Sequence, residues 1–156
     1  MDSDFTYERF CRAVVDGCSE AVLFADRQGI IRLWNAGAEA MFGYSAPEAL
    51  GSSLDLIIPE NLRGRHWAGY HRVVESGATR YAQELLAAPA LTKDGRRISV
   101  EFSMVLVRGA AGGILGVAAV IRDVSVRWEK ERALRLRLAS LERELQRGDD
   151  IAGQSG

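Results

Sequence analysis

The sequence predicts an α+β domain built on one five-stranded antiparallel sheet with helices on one face, flanked by an N-terminal and a C-terminal helix. Three observations carry this. Two extended runs precede a helical stretch and three follow it, so helices do not separate the strands one by one as a doubly wound parallel sheet requires. Arg96–Val107 alternates, with Ile98, Val100, Phe102, Met104 and Leu106 set against Arg97, Ser99, Glu101 and Ser103, which is a strand with one face toward a core. The 156 residues, 47% hydrophobic and 26% charged, suffice for one domain and its core.

The elements follow in chain order. Tyr7–Cys18 carries Tyr7, Phe10, Cys11, Val14 and Cys18 at the spacing of an amphipathic helix. Glu20–Trp34 is a pair of β-rich runs about Asp26–Gly29, where Gly29 supplies the positive φ of a tight reversal. Two short helices follow, Asn35–Tyr44 and Ala46–Leu50. Ser45 before the second, with Pro47 and Glu48 in its first turn, is a helix-start signature. From Pro59 a longer helix places Leu62, His66, Gly69, Tyr70 and Val73 within one face and ends at Gly77. Three strands complete the sheet: Tyr81–Leu91, Arg96–Val107 and Ile114–Asp123, joined at Asp94-Gly95 and across Arg108–Gly113. Ser125–Arg147 is charged, free of Gly and Pro, and repeats Leu134, Leu138, Leu141 and Leu145 at spacings of four, three and four. That seam suits a contact between two helices in a homodimer, or a helix folding back on its own domain. The organisation expected is a cap helix over 1–19, the domain proper over 20–125, the C-terminal signalling helix over 126–147 and a disordered tail over 148–156.

Charge and composition exclude several function classes. Lys+Arg 20 against Asp+Glu 21 leaves no basic excess to hold a polyanion, so nucleic acid is not an expected partner. No apolar run approaches the roughly 18–20 residues of a membrane span, and Met1–Phe10 is acidic and aromatic, unlike a secretory leader. A cytoplasmic location is expected, with Cys11 and Cys18 as free thiols, because seven residues of helix set them about 10 Å apart. No Ser/His/Asp, Cys/His or paired-carboxylate spacing appears, so the chain is not expected to be an enzyme.

Three segments resemble the PAS sensory domains: GIIRLWNAGAEAMFGYSAPEALG (Gly29–Gly51), TKDGRRISVEFSM (Thr92–Met104) and GVAAVIRDVS (Gly116–Ser125). The similarity covers roughly Glu20–Ser125 and implies the PAS fold, whose concave sheet face, closed by helices, holds a ligand and passes a signal to a flanking helix. The Asn-Cys-Arg-Phe motif of the light-sensing relatives is missing from the long-helix region, so a flavin is not expected.

The segment LDLIIPENLRGRH (Leu54–His66) is similar to the haem-binding PAS domains of oxygen sensors of the FixL type. That resemblance implies haem b, with His66 as the proximal ligand of the iron and Arg72 near a propionate. His71, five residues on, is turned by about 140° and cannot share the role. Gly69, on the His66 face, would let a flat macrocycle approach. The resemblance implies a cofactor-binding set of Gly69, Tyr70, Arg72, Val73, Leu86, Val100, Phe102 and Ile121. The family's distal arginine is absent, Glu84 and Leu86 standing there instead. The distal side is therefore apolar, with Met104 in reach either as a sixth ligand or as core filling. The function implied is sensing of a diatomic gas (O2, CO or NO) or of redox state, with output through a partner or an effector domain. The alternatives are a ligand-free dimerisation module and a PAS domain holding another small organic ligand.

Overall fold

The computed structural model describes residues 4–79 and 84–153. It divides into two units, Met1–Asp123 and Val124–Gly156. In the first, helix α1 (Tyr7–Gly17) precedes the hairpin of β1 (Ala21–Asp26) and β2 (Ile31–Trp34). Helices α2 (Ala36–Phe42) and α3 (Ala46–Ala49) and a 3-10 turn, η1 (Leu54–Leu56), lead into α4 (Glu60–Ser76). Strands β3 (Leu86–Leu91), β4 (Arg97–Arg108) and β5 (Ile114–Asp123) close the unit.

The five strands form one sheet in the order β2-β1-β5-β4-β3, every neighbouring pair antiparallel. Because side chains alternate with period two, register decides what meets on each face. Ala21, Ile121, Phe102 and Leu86 stand opposite one another across four strands, and Leu23, Ala119 and Met104 form the next row. Ala21, Leu23, Ala25 and Ile121 on this face are buried, so it is the core side. Helix α2 packs against β1 there, and α4 lies against β5.

Local chemistry fixes the element ends. The Asp26 carboxylate accepts the N–H groups of Gln28 and Ile30 at 3.0 Å each, and Gly29 turns the hairpin at φ 76°. Ser45 and Glu48 form a complete capping box on α3, and Gly77, left-handed, ends α4 with its N–H on the Val73 carbonyl. Asn35, 4% exposed, ties three elements together. Its Oδ1 accepts the Val22 and Ala38 N–H groups, and its Nδ2 donates to the Val15 and Glu20 carbonyls. That crossing brings the chain so close that a Cβ on Gly37 would lie 2.1 Å from the Glu20 carbonyl oxygen.

Two expected boundaries move. The strand expected from Tyr81 begins at Leu86, and Tyr81–Gln83 lies outside the described residues. The stretch from Gly148, expected to be disordered, continues the last helix, α5 (Ser125–Gly153). One glycine inside a helix costs about 1 kcal/mol, too little to stop an element that gains a backbone bond with each residue added. In α5 the leucine seam is exposed, Leu134 by 69%, Leu138 by 58%, Leu141 by 40% and Leu145 by 70%. No described helix is long and apolar enough to cross a membrane.

Candidate functional site

Between the concave sheet face and the helices lies an apolar cavity of about 190 Å³. Its sheet wall is Leu23 of β1, Val117, Ala119 and Ile121 of β5, Val100, Phe102 and Met104 of β4, and Ala88–Ala90 of β3. The opposite wall is Phe42 of α2, Leu54 of η1, Ile57 and Ile58 beyond it, and Leu62, His66 and Tyr70 of α4. The α4 residues follow one another at intervals of four, the row that an α-helix presents along one side.

His66 is the one lining residue of this cavity with a nitrogen in its side chain. Its Nδ1 is buried and has no hydrogen-bond partner. Burial pulls its pKa below the usual 6.5, Asp55 opposing and His71 adding to the shift, so the ring is held neutral. Trp67 packs edge-on at 4.8 Å between ring centroids, and Tyr70 lies at 5.8 Å. These two neighbours anchor the helix. The Tyr70 hydroxyl donates to the backbone carbonyls of Ala25 and Asp26 at 3.1 and 2.6 Å, and burial followed by the Asp26 charge pushes its pKa up to about 12. The Trp67 indole N–H donates to the Asp55 carboxylate at 2.8 Å. The indole also occupies the space above Gly29, where a Cβ would fall 2.1 Å from it. Among the described residues no group of three His, Cys, Asp or Glu side chains could hold a metal ion, so one imidazole and the Met104 thioether are the donors on offer.

Of the site residues expected from the sequence, His66, Tyr70, Val100, Phe102, Met104 and Ile121 line the cavity and four do not. Gly69 lies off the row that forms the wall, and a Cβ built on it meets nothing within 4 Å. Val73 packs on the core instead. Arg72 is exposed and two residues past Tyr70, about 200° round the helix from the cavity row. Leu86 shares the inner face, opposite Phe102, but stands at the first residue of β3, past the cavity edge. Leu62, expected on the His66 face, also lines the cavity, whereas Phe42, Leu54, Ile57, Leu23 and Ala119 join it without having been singled out from the sequence. Apolar residues in Ile114–Asp123 and in Leu54–Ile58 are consistent with burial, but that does not distinguish a cavity wall from ordinary core. Trp34 and Asn35 serve the frame, the Trp34 indole N–H donating to the Tyr44 carbonyl at 2.9 Å.

A five-stranded antiparallel sheet in this order, with helices over a concave face, matches the family described as PAS fold across residues 15–129. The chain belongs to the PAS family. The PAS domain is 27% identical over 146 residues to Sensor protein FixL of Bradyrhizobium diazoefficiens, covering 90% of this chain and 26% of that protein. It is 29% identical over 131 residues to Oxygen sensor protein DosP of Escherichia coli, covering 83% of this chain and 16% of that one. The PAS domain thus spans about a quarter or less of these relatives. Among solved structures, the PAS domain of a protein from Colwellia psychrerythraea superimposes with a TM-score of 0.68 at 22% identity, covering 77% of this chain and 98% of that one. This last likeness speaks to the fold alone.

Proposed function

We propose that this PAS domain is a sensory module without catalytic activity of its own, that its cavity takes haem b through His66, and that it reports a diatomic gas or the redox state through α5. The observation that carries the reading is the buried imidazole whose Nδ1 lacks a partner in an otherwise apolar wall. A buried polar group without a hydrogen bond is costly, and it persists where a ligand completes it. The relation to FixL and DosP supports the same reading.

The donor chemistry fits the group: a neutral imidazole is the form that binds iron, and Met104 offers a thioether for a sixth position. When bound, haem supplies the centre at which a gas binds or an electron is exchanged. The walls would have to open to admit it, because ligand pockets usually run to about 300–1,000 Å³ and this cavity is smaller. Val100, Phe102 and Ile121 would exclude water. The tie of Tyr70 to the β1–β2 turn would keep His66 aligned.

Output follows the chain, since α5 begins two residues after β5 ends. A second copy of the domain suits the exposed leucine seam of α5, and Phe10 and Val14 of α1 offer it further exposed apolar side chains. The test is haem titration of the purified chain. A Soret band that His66→Ala abolishes and His71→Ala retains is the expected result; loss with His71→Ala and retention with His66→Ala overturns the ligand assignment.

A further inference from the structure

The cavity has a size and a polarity of its own, and these describe a ligand smaller than a macrocycle. At about 190 Å³ it exceeds the roughly 150 Å³ that admits benzene to an apolar protein interior. Its lining residues include no Lys, Arg, Asp or Glu, and the Tyr70 hydroxyl is committed to the Ala25 and Asp26 carbonyls. His66 alone is left with a polar atom to satisfy.

We infer that the haem-free domain binds a neutral single-ring aromatic alcohol, of the phenol class, in this cavity, with its hydroxyl hydrogen-bonded to the His66 imidazole. The ring shape follows from the walls: Phe42, Phe102, Tyr70 and the imidazole itself present aromatic faces or edges, and the aliphatic remainder is indifferent to ring orientation. The hydroxyl follows from the imidazole. A neutral histidine has one donor and one acceptor nitrogen, and a hydroxyl both donates and accepts, so it satisfies whichever nitrogen meets it. The side-chain torsion of histidine at χ2 is broad and nearly two-fold, so the enclosed Nδ1 edge can exchange with the other edge by a half-turn of the ring. Neutrality follows from the lining, because an anion here would meet no cation and would lose its water. The inference stands apart from haem binding while using the same histidine, so the two ligands exclude each other.

The experiment titrates the haem-free chain with phenol, toluene and benzoate, following thermal stability, heat of binding and the 15N shifts of the His66 ring. Phenol saturates at one per chain and moves the His66 nitrogens. Toluene, of the same shape but without the hydroxyl, binds about two- to twelve-fold more weakly, the change one net hydrogen bond makes, and leaves the ring shifts nearly in place. Benzoate does not bind. His66→Leu reduces the preference for phenol over toluene to within two-fold, and Ala119→Ile, which adds carbon inside the cavity, weakens both ligands. Absence of saturable phenol binding, equal affinities for phenol and toluene, or an unmoved His66 ring overturns the inference. The ring shifts are read on the unsubstituted chain and decide the matter even if His66→Leu fails to fold. A chain that binds phenol but develops no Soret band with haem refutes the haem reading alone. One that loads haem and ignores phenol refutes this inference alone.

Discussion

Burial of His66 makes the stability of the haem-free domain depend on pH in a defined direction. In the folded chain its pKa lies below the ordinary 6.5, chiefly through burial, whereas in the unfolded chain it takes the ordinary value. Between those two values the unfolded chain binds more protons, so stability rises with pH there and is lost as pH falls below about 6.5. The ceiling is about 1.4 kcal/mol per pH unit for one group. For a chain of this length that corresponds to a fall in melting temperature of about 3–6 °C per pH unit. Incomplete burial of the ring makes the realised figure smaller. The carboxylates cannot mimic the effect. Asp94, held below its usual pKa first by Thr92, and Glu48, held at about 2 first by Lys93, lose their contribution only below about pH 4.5. Thermal unfolding from pH 5.5 to 8.0 on the haem-free chain measures the slope. His66→Leu abolishes it and His71→Ala retains it; equal slopes for the unsubstituted chain and His66→Leu would refute the reasoning.

Three further outcomes are expected. Gly37→Ala destabilises the domain by about 1–3 kcal/mol in urea unfolding, despite the better helix propensity of alanine, because its Cβ meets the Glu20 backbone oxygen; a stabilised variant would disprove the close approach. Tyr70→Phe costs about 0.5–1.5 kcal/mol, since the Asp26 carbonyl also accepts the Gly29 N–H at 2.8 Å; a loss above about 3 kcal/mol would mean that both carbonyls depend on the hydroxyl. Leu138→Asp with Leu141→Asp yields a monomer in sedimentation with cavity binding intact, because burial of leucine, at about 1.5–3 kcal/mol each, supplies most of the attraction along the seam; an unchanged dimer places the contact elsewhere.

Much of the frame was legible because its signals are local. Asp26 and Gly29 encode a hairpin turn within four residues, and the structure forms it with Gly29 at φ 76°. Ser45 and Glu48 encode a helix start, and the complete capping box is present. The alternation of Arg96–Val107 is realised in β4 over Arg97–Arg108. Where local signals compete, sequence misleads: the stretch from Gly148 reads as a disordered tail, yet α5 runs through it to Gly153. The start of β3 was misplaced because its pairing with β4, which opens at Leu86 and Phe102, sets it.

The site divides along the same line. Local sequence marked His66 and the inward set Val100, Phe102 and Met104, because helix periodicity and strand alternation place residues on faces without reference to the rest of the chain. Which faces meet, and how closely, is a different question. Ala119 opposes Met104 on one strand and Leu23 on another, and the space above such small side chains is part of the cavity. Phe42 and Leu54 reach it from elements distant in sequence. Gly69 shows the limit from the other side: its spacing from His66 suggested the ligand face, but the packing of α4 put the wall on the row Leu62, His66 and Tyr70. Face membership follows from backbone geometry over a few residues, so it can be read from sequence. Volume, enclosure and the unpartnered state of His66 Nδ1 follow from the register and docking of elements tens of residues apart, so they arise only when the chain has folded.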